Sequence, residues 1–212
     1  MILRLQDLKG TYDAVYSLGD LCLGSIQLEK NNLRPYSGVL DWMASPALSD
    51  VNRLLKNRFI GFMDLPNLRI IGYAGEKNIC VSDDAYHMVS NHDFEIGKNS
   101  LSHLGSYAEV KEKFDRRIHR FLEKAATCQR MLFVRTEGDL GEAKELVKVL
   151  SALVRNDFRV LLVNHTNVQG LVEDDWPLDK VCAIQLPAEN KFTANDHFWT
   201  KMLKDIDISN KE

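Results

Sequence analysis

The second half of the chain alternates short apolar runs with an amphipathic stretch, and this alternation most restricts the possible folds. From 140 to 154, behind Asp139 and Glu142, apolar residues recur at three- and four-residue steps, which predicts a helix. A strand, a helix and a strand of these lengths predict a right-handed crossover between parallel strands. The runs of strand length are MLFVRT (131–136), RVLLVNHT (159–166) and VCAIQLP (181–187).

The first half follows a similar plan. DAVYSLG (13–19) predicts a strand that leads at once into a helix over 20–31, NICVSD (78–83) predicts another strand, and 57–80 is otherwise irregular. We therefore expect an α/β fold, with residues 1–212 forming a single-domain three-layer sandwich around a mostly parallel sheet. Ligands of such sheets gather where strands end. The corresponding segments are 17–23, 83–93, 135–138 and 164–167.

Composition narrows the function classes. A net charge of −3 and a pI near 6.1 argue against a nucleic-acid partner. No apolar run is long enough to span a membrane and no secretory leader is visible, so we expect a cytoplasmic protein without a membrane partner. The four cysteines are far apart, which predicts reduced thiols and neither disulfides nor a metal site. No cofactor is expected.

SLGDLC (17–22) places a thiol where the first strand gives way to a helix. Gly19 permits a tight turn, and Asp20 is a natural N-cap, which puts Cys22 at about the second helical position. Unpaired amides at a helix start favour a thiolate and can hold an oxyanion. The alternative is that Cys22 simply fills a gap between helix and sheet.

A cysteine nucleophile needs a base. His92 follows a predicted strand among acidic residues, His165 ends the strand over 159–166, and His197 stands beside Asp196 late in the chain. Spacing along the chain leaves all three histidines open.

Three spaced blocks resemble a bacterial family named "putative papain-like cysteine peptidase". They are Ser17 to Cys22, Ser37 with Asp41 and Trp42 in the segment LRPYSGVLDW (33–42), and the run from Asp83 to His92, Asp93 and Phe94. FDRRIHRF (114–121) and LFVRT (132–136) extend the resemblance. The resemblance covers roughly 12–136 and departs from the family pattern at Val39 and Leu40. It implies Cys22 as the nucleophile and His92 as the base.

The same resemblance calls for a group that orients the imidazole. Asp93 adjoins His92, but neighbours along a strand point to opposite faces, so Asp41 and Asp83 are equal candidates. Turn formation and helix capping are the alternative roles of these carboxylates. Arg135 ends a strand at the ligand edge, where its guanidinium is suited to binding a substrate carboxylate or phosphate.

A papain-like site belongs to an α+β fold, whereas the pattern over 131–187 indicates a parallel sheet. A second resemblance suits that sheet better. SGNH-like hydrolases and acyltransferases place the nucleophile just after the first strand, as in Gly19-Asp20-Leu21-Cys22, and take a late base, here Asp196 with His197.

The sequence thus predicts a thiol hydrolase acting on a small-molecule or peptide acyl substrate, with Gly19 and Asp20 in the substrate-binding loop. One alternative is an SGNH-like acyltransferase or esterase that uses a saccharide or a CoA thioester. The other is an α/β module that binds a ligand without turnover.

Overall fold

The computed structural model describes residues 2–209, within which the chain forms thirteen β-strands and five α-helices. The strands are β1 (Gly10–Tyr12), β2 (Ala14–Ser17), β3 (Met43–Ala44), β4 (Leu68–Ala74), β5 (Asn78–Asp83), β6 (Met88–Glu95), β7 (Asn99–Ser100), β8 (His103–Leu104), β9 (Arg130–Thr136), β10 (Asp157–Thr166), β11 (Val172–Asp174), β12 (Val181–Pro187) and β13 (Ile206–Ile208). The helices are α1 (Leu23–Lys30), α2 (Leu48–Lys56), α3 (Tyr107–Thr127), α4 (Leu140–Leu153) and α5 (Asp196–Leu203).

A five-stranded sheet in the order β11-β12-β10-β9-β2 forms the centre of the fold. β2, β9, β10 and β12 run parallel, and β11 adds an antiparallel edge. α4 is the crossover between β9 and β10. It begins with a reciprocal cap in which Asp139 accepts from the Glu142 amide and Glu142 accepts from the Asp139 amide. The predicted α/β class with a mostly parallel sheet is confirmed.

Helices cover both faces of this sheet, which gives the three layers. Because side chains alternate along a strand, Leu132 and Val134 of β9 point to one face, while Met131 and Phe133 point to the other. The first face is covered by α1 and α5, and the second by α2, α3 and α4. Each fully buried side chain of this kind contributes about 1.5–3 kcal/mol. That residues 1–212 form one domain stays a prediction.

A second, antiparallel sheet in the order β3-β6-β5-β4 corrects part of the prediction. The strand predicted over 78–83 exists, but it pairs with its neighbours in hairpins, so 83–93 does not lie at the edge of the parallel sheet. The reason is the connection: only four residues separate β5 from β6, and a parallel pairing needs a much longer crossover. The supposedly irregular stretch 57–80 contains β4.

A cavity of about 670 Å³ lies against β4 and the β7–β8 hairpin, lined by apolar residues such as Leu68 and Leu104. None of the four cysteines lines it. Among the helices of residues 2–209, none combines the length and the apolar character needed to cross a bilayer.

Candidate functional site

Cys22 sits at the carboxyl end of β2, immediately before α1. It is the N-cap residue of that helix, with Leu23 as the first helical residue. The prediction that Asp20 caps the helix and that Cys22 lies inside its first turn is wrong by two positions. The loop reaches α1 through two left-handed residues, Gly19 at φ +80° and Leu21 at φ +57°.

Asp20 does not cap α1 because its carboxylate is engaged elsewhere. Its Oδ1 accepts from the amide of Leu21 at 2.8 Å and from the amide of Ser45 at 2.6 Å. Ser45 is fully buried just beyond β3. Asp20 therefore ties the loop that carries Cys22 to the edge of the antiparallel sheet.

Arg135 holds the same loop from below. Its side chain is 0% exposed and donates to the carbonyls of Leu18, Ser45 and Glu137, and also to the Ser45 hydroxyl, at 2.7–3.0 Å. Burial lowers the pKa of Arg135 to about 10, although nearby carboxylates, with Asp20 foremost, act in the opposite direction. The guanidinium predicted to bind substrate thus faces the protein interior and fastens the loop.

Two glycines allow close approaches around Cys22: Gly19 lets the loop lie against Ser45, and Gly24 lets α1 lie against β2. A Cβ on Gly19 would lie 2.3 Å from the Ser45 hydroxyl oxygen, and one on Gly24 would lie 2.9 Å from that of Ser17. Real side chains do not tolerate contacts this short. Glycine at both positions therefore sets where Cys22 stands relative to β2.

Ser25 and Asp41 continue the site beyond Cys22. The buried Ser25 hydroxyl lies 2.9 Å from the carbonyl oxygen of Cys22 and 2.8 Å from that of Asp41. The Asp41 carboxylate, whose side chain is 2% exposed, accepts from Arg34 Nε and from the Gly38 amide, both at 2.7 Å. Asp41 thus lies close to Cys22, but its carboxylate orders the 34–41 loop.

Trp42 connects this loop to His92. Its ring meets the imidazole edge to face, with 5.8 Å between centroids, and the Arg34 guanidinium lies 5.3 Å over the same indole. His92 itself is exposed on β6. Sequence analysis favoured neither Trp42 nor Arg34, although both fall within the block that carried the resemblance.

Asp83 and Asp93 serve local structure. Asp83 is fully buried and accepts from the amides of Met63, Ala85 and Tyr86; burial raises the pKa of its carboxyl. The Asp93 carboxylate accepts from Ser90 and pairs with Lys113. Among the side chains of residues 2–209, none hydrogen-bonds to the His92 ring.

The other two candidate bases, His165 and His197, make no contact with Cys22 or Trp42 among the hydrogen bonds and ring contacts of residues 2–209. His165 has a side chain that is 2% exposed, and its Nδ1 is 2.7 Å from Glu137 Oε1, while its buried Nε2 has no partner in the described part of the chain. His197 is exposed and stacks on Phe198 at 3.8 Å.

Asp196, which the SGNH-like alternative pairs with His197, bonds instead to Lys30 and Gln27. The hydrogen bond from Lys30 is the main reason why the pKa of Asp196 is lowered.

The thiol of Cys22 is half-buried. Burial is the main reason why its pKa is raised, and the charge of Asp20 adds to the effect. Within residues 2–209, the amides of Gly19, Asp20 and Leu21 bond to other groups, whereas that of Cys22 bonds to no other residue. It faces the sulfur of its own residue, which acts to lower the pKa of the thiol against the larger effect of burial. The site therefore places a thiol and its own backbone amide together at a helix start.

A half-buried thiol at a strand-to-helix junction, with a histidine presented by a neighbouring antiparallel sheet, defines a candidate cysteine-based active site. The chain belongs to the family described as "putative papain-like cysteine peptidase", whose profile matches residues 13–168. It is also similar to uncharacterized protein R408 of Acanthamoeba polyphaga mimivirus, at 24% identity over 160 residues, 66% of this chain and 71% of that protein. No solved structure matches. The bacterial origin stays a prediction.

Proposed function

We propose that the chain is a thiol-dependent hydrolase in which Cys22 attacks the acyl carbon of a small-molecule or peptide substrate and His92 removes the thiol proton. A continuous path of contacts between the two residues carries the proposal. Ser25 joins the backbone oxygens of Cys22 and Asp41. Trp42 follows directly, and its ring contacts that of His92.

The elements that hold the two residues support the same function. Cys22 stands at the start of a helix and His92 in a strand of an antiparallel sheet. The resemblance to papain-like peptidases implies this division of roles. The parallel sheet, which argued against such a site at the level of sequence, carries Cys22 at the end of β2, while the antiparallel sheet carries His92.

The state of the thiol determines which kind of base catalysis is required. Because burial and Asp20 raise the pKa of Cys22, a free thiolate is scarce at neutral pH. The proton must then leave as the sulfur attacks, and a neutral imidazole nitrogen is suited to accept it. His92 therefore acts as a general base and not as one half of a resting ion pair.

The amide of Cys22, which bonds to no other residue in 2–209, is suited to donate to an oxyanion formed beside its sulfur. The preceding amides are already bonded, and the macrodipole of α1 adds positive potential at its first residues. Gly19 and Asp20, which were expected to form the substrate-binding loop, therefore shape that loop, and the amide of Cys22 binds the oxyanion.

The chemical steps then balance. The Cys22 sulfur bonds to the acyl carbon, the bond from that carbon to the leaving group breaks, and His92 passes the thiol proton to the leaving group. His92 then takes a proton from water as the water oxygen attacks the thioester carbon. The C–S bond breaks, the acid leaves, and the same proton returns from His92 to the sulfur.

Acylation by p-nitrophenyl acetate tests the proposal. We expect a burst of nitrophenolate and one acetyl group on Cys22, detected by mass spectrometry of the digested protein. His92→Gln should slow acylation by about 10²–10⁴-fold, as for the loss of a general base. His87→Gln is the matched control. His87 lies in the turn just before β6 and is exposed like His92, but it pairs with Asp50 of α2.

An equal acylation rate in wild type and His92→Gln would remove His92 as the base. Absence of an acetyl group on Cys22 at any pH up to 9 would refute the hydrolase and favour the module that binds without turnover.

A further inference from the structure

α3 presents a row of cations beside the site. Lys113, Arg117, Arg120 and Lys124 follow one another at helical steps of four, three and four residues and so share one face, called here the basic face of α3. This face runs from β6 at one end to the 34–41 loop at the other.

Two contacts fix the ends of the basic face. Lys113 pairs with the carboxylate of Asp93, the residue after His92. Arg120 donates to the carbonyl of Ser37 and lies 4.4 Å over the Tyr36 ring. Arg117 follows Lys113 by one helical turn and precedes Arg120 by three residues. It therefore lies between the strand of His92 and the loop of Asp41.

Arg117 is left without a polar partner. It is half-buried against the Phe114 ring, 5.7 Å from the centroid, and it makes neither a hydrogen bond nor an ion pair with any other residue in 2–209. The two carboxylates whose charges act on it are Asp93 and Asp41, and each is bonded to another cation. The Nε of Arg120 is likewise buried and unpartnered.

We propose that Arg117 binds a carboxylate of the acyl substrate, so that the enzyme selects substrates that are negatively charged near the acyl group. A guanidinium offers a planar pair of donors that matches a carboxylate, and partial burial strengthens that pairing. Burial lowers the pKa of Arg117, the charges of Asp93 and Asp41 act in the opposite direction, and those of Arg120 and Arg34 act to lower it. Because Asp93 and Asp41 are bonded to other cations, the Arg117 guanidinium keeps its donors for an incoming carboxylate. The inference rests on the proposed function in taking Cys22 as the nucleophile.

Alkylation of Cys22 by two reagents that differ in charge tests the proposal. Iodoacetate carries a carboxylate and iodoacetamide is neutral, and the ratio of their rates cancels the thiolate fraction. Arg117→Gln should lower this ratio by about 2- to 10-fold at low salt, the effect expected for the loss of one nearby charge, and added salt should reduce the difference. Arg117→Lys should keep most of the ratio.

Arg116→Gln is the matched control. Arg116 neighbours Arg117 on the same helix, but it is exposed and pairs with Glu112, so its loss should leave the ratio unchanged. Equal ratios in wild type and Arg117→Gln, with both proteins folded by circular dichroism, would overturn the carboxylate site. So would equal losses in the Gln and Lys variants.

The two proposals fail separately. If Arg117→Gln lowers the ratio while His92→Gln leaves acylation unchanged, the carboxylate site stands and the hydrolase mechanism fails. If acylation needs His92 while the ratio does not depend on Arg117, the reverse holds.

Discussion

Replacing Gly19 with alanine should destabilise the fold more than the same change at another left-handed glycine. At Gly19 the new Cβ is 2.3 Å from the hydroxyl oxygen of Ser45 and 3.1 Å from Nη1 of Arg135, both fully buried. At Gly75, with φ +66°, a Cβ meets nothing within 4 Å. Backbone strain is common to both, so the difference between the two variants isolates the steric clash.

The magnitude follows from what must move. A left-handed conformation costs an alanine about 1–2 kcal/mol, which is the whole expectation for Gly75→Ala. At Gly19 the Ser45 hydroxyl must also shift and lose its 2.9 Å bond from Arg135, a charge-assisted hydrogen bond worth about 1.5–3 kcal/mol. Gly19→Ala should therefore lower the free energy of unfolding by about 2.5–5 kcal/mol.

Urea unfolding followed by tryptophan fluorescence measures both variants. Ser45→Ala removes the clashing oxygen, so the double variant Gly19→Ala with Ser45→Ala should cost less than the sum of the single changes, by about 0.5–3 kcal/mol. A Gly19→Ala protein no less stable than Gly75→Ala, or strictly additive single changes, would refute the account of how this loop is held.

Three further predictions use other parts of the molecule. Trp42→Ala should slow acylation of Cys22 by roughly 10-fold through loss of the ring that positions His92, whereas Trp42→Phe should largely preserve the rate; equal rates in the two variants would contradict this role. Burial acts to raise the pKa of Glu137, but its bonds from His165 and the charge of Lys191 outweigh it and leave that pKa lowered. The ionised Glu137 carboxylate thus stabilises the fold above its unfolded pKa of 4.5, and this stabilisation is lost as the pH falls through the folded pKa. Glu137→Gln should therefore reduce the stability to urea at pH 7 and leave it unchanged at pH 3. Phe133→Ala should cost about 3–5 kcal/mol in the same assay, because its ring is 0% exposed between the sheet and the helices.

The prediction of the parallel sheet from sequence succeeded because its strands are buried on both faces. Such strands are continuous apolar runs, as in 131–136 and 181–187, and the helix between β9 and β10 carries its own cap. β4 went unpredicted because it lies at the edge of its sheet and two of its exposed positions carry the apolar residues Ile71 and Tyr73. Exposure alternates along the strand, but apolar and polar residue types do not.

Local sequence was likewise sufficient to locate Cys22 between a strand and a helix, since Gly19 and the apolar run before it depend only on near neighbours. It was not sufficient for the cap. Asp20 is a good capping residue by type, but Ser45, which is 25 residues away, competes for its carboxylate. The residues next to Asp20 in the sequence do not indicate this competing hydrogen bond.

Residue types and short-range periodicity therefore determined the α/β class, the four parallel strands of the central sheet and the position of the thiol, because each depends on near neighbours in the sequence. Other features depend on partners far apart in the chain. They are the second sheet, the Cys22 amide that bonds to no other residue in 2–209, the loop held by Arg135, and the Arg117 guanidinium without a polar partner in that range. Burial of those partners follows from how the layers close over one another, and only the folded arrangement specifies it.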